Sequence, residues 1–115
     1  MIFTGITIRT KDVQRLANFY KNILCTSSDC DDDSHQSINV KGAYLGILRI
    51  EKSDDMRNDV INLAFEVDDV DVEFERLKCL GINIIKPPTV RPWGVKNIMF
   101  ADPDGNDIVF NSSHK

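Results

Sequence analysis

This sequence of 115 residues has no paired cysteines, no long hydrophobic run and no recognisable secretion signal. Its three cysteines, Cys25, Cys30 and Cys79, are odd in number, and no two have the close spacing of a zinc or redox motif. We therefore expect no disulfide framework and interpret the thiols as buried or incidental. No apolar run approaches the ~20 residues that a bilayer requires. Residues 1–5 lack the basic start and apolar stretch of a signal peptide. These features predict a cytoplasmic protein with no membrane partner.

Positive charge is also in short supply. The 14 basic residues are outnumbered by 18 acidic ones, which gives a formal net charge of −4. Because phosphate-backbone binding usually needs a basic face, this balance argues against a nucleic-acid partner. It mildly favours cationic small molecules. The hydrophobic fraction of 42% is ordinary for one small globular domain.

The chain contains a faint internal repeat, which is the first organisational signal it offers. An alternating segment at Ile6–Thr10 is followed by Asp12, and a similar segment at Leu63–Val67 is followed by Asp69. Each segment reads as a strand and each aspartate as the N-cap of a helix. The repeat therefore predicts two modules that begin in the same way.

The helices and later strands follow from apolar spacing. The first helix has its apolar face at Val13, Leu16, Ala17, Tyr20 and Leu24, and the second, ending near Gly81, has it at Val70, Phe74 and Leu77. Strands are predicted at Ser37–Val40, Tyr44–Glu51, Ile82–Ile85, Lys96–Ala101 and Asp107–Phe110, with a further short one around Cys25–Ser28. Three prolines, Pro87, Pro88 and Pro92, are expected to break the second half before its last two strands.

The polar stretch Lys52–Asp59 separates the two halves and reads as a linker. The prediction is one domain over residues 1–115, with module one at about 1–52, the linker at about 52–59 and module two at about 60–115. Helices on one side of mostly antiparallel strands give an α+β class.

The segment Phe100–Phe110 predicts a closing hairpin. Pro103 sets φ for a turn, Gly105 can adopt a positive φ, and Asp102 and Asn106 can bond their own backbone. Together with Trp93-Gly94, the Asn18-Phe19-Tyr20 helix and the strand before Asp12, this hairpin resembles the glyoxalase/bleomycin-resistance (vicinal-oxygen-chelate) family over essentially the whole chain. The resemblance implies two βαβββ modules forming a curved, mostly antiparallel sheet around a ligand cup.

Metal-using members of that family bind a divalent ion through His and Glu side chains. By resemblance, the matching positions here are Gly5, Asn62, Val109 and a place near Gly46–Leu48. None of them offers a ligand suited to a transition metal. His35 is predicted in a polar loop and His114 is the penultimate residue, while Glu51 and Glu66 lie off the matched positions. We therefore expect no metal, no cofactor and no catalytic residues.

Strand alternation supplies the candidate ligand site. If Ile6, Ile8, Leu63, Phe65 and Val67 face the helices, the intervening side chains face the cup. The candidate ligand-binding residues are Thr7, Arg9, Asn62, Glu66, Trp93 and Met99, accompanied by Ala64 and Val109. Trp93 and Tyr44 each have an alternative role in local packing. The acidic loop Asp29–Asp33 reads as a solvated hairpin or as a surface that steers cations.

Three functions stay open. The first is a metal-free small-molecule-binding protein that sequesters an antibiotic or metabolite, as the resemblance to bleomycin-resistance proteins implies. Its ligand is expected to be polar or zwitterionic, and the protein is expected to be a homodimer. The second is a divergent metal-dependent lyase or isomerase of the glyoxalase type, although the missing ligands make an enzyme the less favoured reading. The third is an accessory module whose cup holds a metabolite for regulation.

Overall fold

The computed structural model describes residues 3–50 and 62–114. The chain divides into two compact units, Met1–Asn58 and Asp59–Lys115. Over the described residues it contains two helices and seven strands, so the predicted α+β class with two modules is confirmed. The predicted linker Lys52–Asp59 and Glu51 lie outside the described residues.

The first unit is a strand, a helix and a strand pair. Its elements are β1 (Gly5–Thr10), α1 (Val13–Leu24), β2 (His35–Ile38) and β3 (Tyr44–Arg49). The sheet order is β1-β3-β2, with β1 parallel and β2 antiparallel to β3. In the central strand β3, Leu45, Gly46 and Ile47 are buried in succession.

The second unit repeats this plan with one more strand. Its elements are β4 (Asn62–Glu66), α2 (Val70–Cys79), β5 (Ile84–Val90), β6 (Val95–Ala101) and β7 (Asp107–Ser113). The sheet order is β4-β7-β6-β5, where only the β4–β7 pair is parallel. Both sheets are therefore mixed.

Both helices begin at the predicted aspartates. The Asp12 carboxylate accepts a hydrogen bond from the Arg15 N–H at 3.1 Å, and Asp69 accepts one from the Asp71 N–H at 2.9 Å. These bonds satisfy backbone donors that the first turn leaves unpaired. Gly81, with φ of +73°, follows the end of α2 and provides the predicted stop.

Each helix packs on one face of its own sheet. The first core is centred on the fully buried Tyr20. In the second unit the rings of Phe100 and Phe110 meet edge to face at 4.9 Å, a favoured aromatic geometry. The core residues of the two units include Ile8, Val13, Leu16, Ala17, Ile23, Ile38, Ile47, Leu63, Val70, Leu77, Ile98 and Ile108.

Several predicted boundaries were wrong. Strand β2 starts at His35 instead of Ser37, and the predicted strand at Cys25–Ser28 is reduced to an isolated bridge between Ser28 and Ile38. Strand β5 continues through Pro87 and Pro88. It is an edge strand, and its register with β6 shifts at this point, so the two prolines interrupt few backbone hydrogen bonds between the strands. In α1, Ile23 instead of Leu24 is fully buried.

No helix in residues 3–50 and 62–114 combines the length and apolar character needed to cross a membrane. The thiols of Cys25, Cys30 and Cys79 are free and exposed. Of the two interpretations given above, buried or incidental, the structure excludes burial for all three.

Candidate functional site

Each sheet has one face against its helix and one face free of helix. We call the second of these the unit-one face and the unit-two face. Thr7 and Arg9 are exposed on the unit-one face and alternate with Ile8 and Thr10, which are buried on the opposite side of the strand. Asn62 and Glu66 are exposed on the unit-two face, and Met99 is half-buried there. The six candidate residues thus separate into two in the first unit and four in the second, and a joint role as a ligand site stays a prediction.

The unit-one face is dominated by the ring of Tyr44. Its hydroxyl lies 3.2 Å from Thr7 Oγ1, and the side chain is 42% exposed. A Cβ at Gly46 would lie 3.1 Å from Tyr44 Cε2, and a Cβ at Gly5 would collide with the Tyr44 carbonyl oxygen and ring. Two glycines therefore make room for this tyrosine, which lies across the sheet and is not packed into the core.

His35 was misplaced by the sequence interpretation, which put it in a loop. It opens β2, and its register partner is Leu48, which pairs in turn with Arg9. In-register residues of neighbouring strands point to the same side of a sheet, so Arg9, Leu48 and His35 form one row on the unit-one face. The signal was obscured because the acidic residues before His35 look like a longer loop.

The unit-two face is built from three register rows. The middle row is apolar and consists of Ala64, Val109 and Met99, with Lys86 at its β5 end. One neighbouring row contains Asn62, Asp107 and Ala101. The other contains Glu66, Asn111, Asn97 and Thr89. An apolar strip flanked by polar rows suits a ligand that is itself partly apolar and partly polar.

The β5–β6 turn adds two further side chains. The Gly94 N–H donates to the Arg91 carbonyl at 3.2 Å, which closes a turn with Pro92 and Trp93 at its centre. Trp93 is 70% exposed, so its side chain is not packed against its own hairpin, which was the alternative role considered for it. Arg91 Nε donates to Asn97 Oδ1 at 3.1 Å. Sequence reasoning missed Arg91, because only the β5–β6 register shows that it reaches Asn97.

The acidic loop uses its carboxylates internally. Hydrogen bonds from the Ser37 N–H and then the Cys30 side chain lower the pKa of Asp29, and the Ser34 N–H and hydroxyl lower the pKa of Asp32. The fully buried Gln36 donates to the Asp32 carbonyl at 3.0 Å. The loop is therefore a hydrogen-bonded structure, and not simply a solvated hairpin.

The residues at the family's metal positions do not fit a metal. Gly5 has no side chain, and Tyr44 fills the space that one would need. Val109 offers only methyl groups, and Asn62 is a weak ligand for a transition metal. Across the described ranges, His, Cys, Asp and Glu side chains form no group of three or more that could hold an ion. The arrangement can bind molecules by hydrogen bonding, charge and apolar contact.

Comparison with known proteins places this geometry in a family. The family model described as the glyoxalase/bleomycin resistance protein/dioxygenase superfamily matches residues 3–110. A curated relative, the metallothiol transferase FosB of Staphylococcus saprophyticus, is 27% identical over 107 residues, which is 88% of this chain and 70% of that protein.

Two solved structures show the same fold. A glyoxalase/bleomycin resistance protein/dioxygenase from Nocardioides has a TM-score of 0.82 at 19% identity, covering 100% of this chain and 85% of that one. A family enzyme from Burkholderia phytofirmans has a TM-score of 0.83 at 16% identity, covering 96% and 97%. At these identities the likeness establishes the fold alone.

Proposed function

The chain belongs to the glyoxalase/bleomycin resistance protein/dioxygenase superfamily, and from that premise we propose that it is a metal-free, small-molecule-binding member. The observation that carries the proposal is that Gly5, Asn62 and Val109, at the positions matched to the family's metal ligands, offer no side chain suited to a transition metal. In addition, the Tyr44 ring occupies the space beside Gly5. Without an electrophilic ion, the family's metal-dependent chemistry has no activated centre. Binding does not need one.

The biological role that we propose is sequestration of an antibiotic or metabolite, or presentation of a metabolite for regulation. The polar and apolar rows of the unit-two face support a ligand of mixed character, polar or zwitterionic at its ends. Exposed free thiols at Cys25, Cys30 and Cys79 support a reducing compartment, and we include a cytoplasmic location and a homodimer in the proposal.

The direct test is metal content. The purified chain is loaded with Zn²⁺, Mn²⁺, Ni²⁺ or Fe²⁺, desalted and analysed by elemental mass spectrometry, and we expect no stoichiometric ion. The variant His35→Ala/His114→Ala is the control, since it removes the two imidazoles that could bind ions weakly at the surface. One ion per chain retained in both proteins would contradict the proposal.

Ligand binding is tested separately by a thermal-shift screen of small molecules with and without a chelator. We expect stabilisation by some compounds that is unaffected by the chelator, because a molecule that binds the native state raises its apparent stability. Stabilisation that appears only with added metal would favour the alternative.

The alternative is a metal-dependent enzyme, either a lyase or isomerase of the glyoxalase type or a thiol transferase. The relationship to the staphylococcal metallothiol transferase favours it, since that similarity spans 107 residues. It would require metal ligands away from the matched positions. Metal-dependent consumption of a thiol that a chelator abolishes would establish this second function.

A further inference from the structure

Charge is distributed unevenly across the unit-two face. The acidic side chains, Glu66 and Asp107, are on β4 and β7, at one side of the sheet. The basic ones, Lys86 and Arg91, belong to β5 and the turn after it, at the opposite side. The face is therefore dipolar along the direction that crosses the strands.

One row connects the two sides through amide groups. Glu66 pairs with Asn111, and Asn111 pairs with Asn97, whose side-chain oxygen accepts from Arg91. Neighbouring strands are about 4.8 Å apart, so the Cα atoms of Glu66 and Asn97 are about 10 Å apart. The apolar row of Ala64, Val109 and Met99 runs beside this polar row in the same direction.

The charged groups at both ends of the polar row are available to a ligand. Glu66 is exposed, and its carboxylate has no hydrogen bond or ion pair with any described residue. Arg91 uses only Nε toward Asn97, so its two Nη groups have no partner in the part of the chain that the structure describes. A guanidinium group with both Nη atoms available can bind a carboxylate through two parallel, bidentate hydrogen bonds.

We propose that the unit-two face binds an elongated zwitterion. The ammonium group of the ligand contacts Glu66, its carboxylate contacts Arg91, and its apolar body lies along Ala64, Val109 and Met99. Asn111 and Asn97 supply hydrogen bonds between the two poles. This inference rests on the proposed function, because it specifies the ligand class for that binding face.

The test uses 6-aminohexanoate as the probe, with hexanoate and hexylamine as single-charge controls and glycine as a short zwitterion. Binding is measured by calorimetry and by the NMR shifts of the Met99 methyl group. We expect 6-aminohexanoate to bind at least about fivefold more tightly than any control compound, since each exposed charged contact adds a modest amount. Raising the salt concentration should reduce that advantage.

Two variants assign the poles. Glu66→Gln should lower 6-aminohexanoate affinity to that of hexanoate, and Arg91→Gln should lower it to that of hexylamine. The matched controls are Glu75→Gln and Lys78→Gln, which make the same changes in charge at an ion pair on α2, outside the sheet. These should bind the probe like the unaltered protein.

Two results would overturn the inference: equal affinities for 6-aminohexanoate and hexanoate, or no measurable binding of the probe. Neither result would touch the proposed function if uncharged compounds from the thermal-shift screen still shift Met99. Conversely, one metal ion per chain in the elemental analysis would overturn the proposed function. The Glu66→Gln and Arg91→Gln affinities would still decide whether the unit-two face binds a zwitterion.

Discussion

Tyr44 determines what the unit-one face can present to a ligand. Its ring occupies the space beside Gly5 and Gly46, and its hydroxyl is 3.2 Å from Thr7 Oγ1. A larger residue at Gly5 would have to move the Tyr44 backbone, whereas one at Gly46 would meet only side-chain atoms. The two glycines therefore respond differently when the tyrosine is removed.

This difference gives the first prediction. Gly5→Ala should lower the free energy of unfolding by about 2–3 kcal/mol, and Gly46→Ala by about 1 kcal/mol, because overpacking costs more where backbone must shift. In a Tyr44→Ala background the Gly46→Ala cost should fall only in part, because Thr7 Oγ1 at 3.0 Å from the added Cβ is still present, while the Gly5→Ala cost should largely remain. Urea denaturation of the unaltered protein, the three single variants and the two double variants measures the coupling. Equal relief at both positions would contradict the arrangement.

Trp93 provides the second prediction at the residue scale. It is the only tryptophan of the chain and is 70% exposed. If it covers the ligand, Trp93→Ala should weaken binding of a compound from the thermal-shift screen by about 1–3 kcal/mol, as for an aromatic anchor. Its fluorescence should change on binding in the unaltered protein. Phe3→Ala, at another exposed aromatic residue, is the control, and equal affinity in both variants would exclude a role for Trp93.

Strands and helices were predicted well wherever one face of an element is buried. Alternation placed β1 and β4, and the aspartate caps fixed the starts of both helices. Of the four edge strands in the described residues, β1 and β4 were predicted well, and β2 and β5 were predicted poorly. Strand β5 accommodates Pro87 and Pro88 because it is an edge strand and its pairing with β6 shifts register between Lys86 and Thr89. No local signal in the sequence distinguishes that situation from a loop.

The closing turn supports a prediction at the element scale. Asp102 is 5% exposed, and its carboxylate accepts from the Asp104 N–H, the Asn106 N–H and the Asn106 side chain at 2.7–2.9 Å. Asp102→Ala should destabilise the protein by about 3 kcal/mol, because it leaves buried donors without an acceptor. Pro103→Ala, at the exposed neighbour, should cost less than about 1 kcal/mol. Thermal unfolding compares the two, and equal losses would refute the role of the carboxylate.

The acidic loop supports a prediction about pH. The pKa values of Asp29 and Asp32 are lowered below the usual 3.8 by donors that bind the charged form. A carboxyl group with a lowered folded-state pKa contributes stability above its unfolded-state value and loses it as pH falls through the folded-state value. We therefore expect protonation of these two carboxylates to loosen the loop below pH 3.8, and the two groups to add no pH dependence above it.

Amide NMR shifts measure this directly. The Ser37 amide should report Asp29, since the two are joined at 2.8 Å, and the Ser34 amide should report Asp32. In the variant Asp29→Asn the Ser37 amide should stop titrating while Ser34 continues. A Ser37 titration that survives this substitution would show that another group controls the loop.

At the scale of the whole molecule, the repeat was the most useful sequence signal. Two similar strand–helix starts indicated two modules, and the chain divides into two compact units. The candidate site was less predictable, because a row such as Glu66, Asn111 and Asn97 depends on the registers of three strands. Alternation gives the face of each residue, and only pairing tells which residues of different strands are neighbours.

Assembly is the last prediction, and it follows from the strand edges. Within the second sheet the two outer strands are β4 and β5. Strand β5 has Pro87, Pro88 and Lys86, which discourage pairing with another chain, whereas Asn62–Glu66 of β4 contains neither proline nor lysine. The β4 edge therefore leaves backbone hydrogen-bonding groups available for pairing with a second copy of the chain. We expect a symmetric homodimer of about 26 kDa, twice 13.0 kDa, at micromolar concentration. Sedimentation equilibrium over a dilution series measures the mass, and a mass of 13.0 kDa throughout would rule the dimer out.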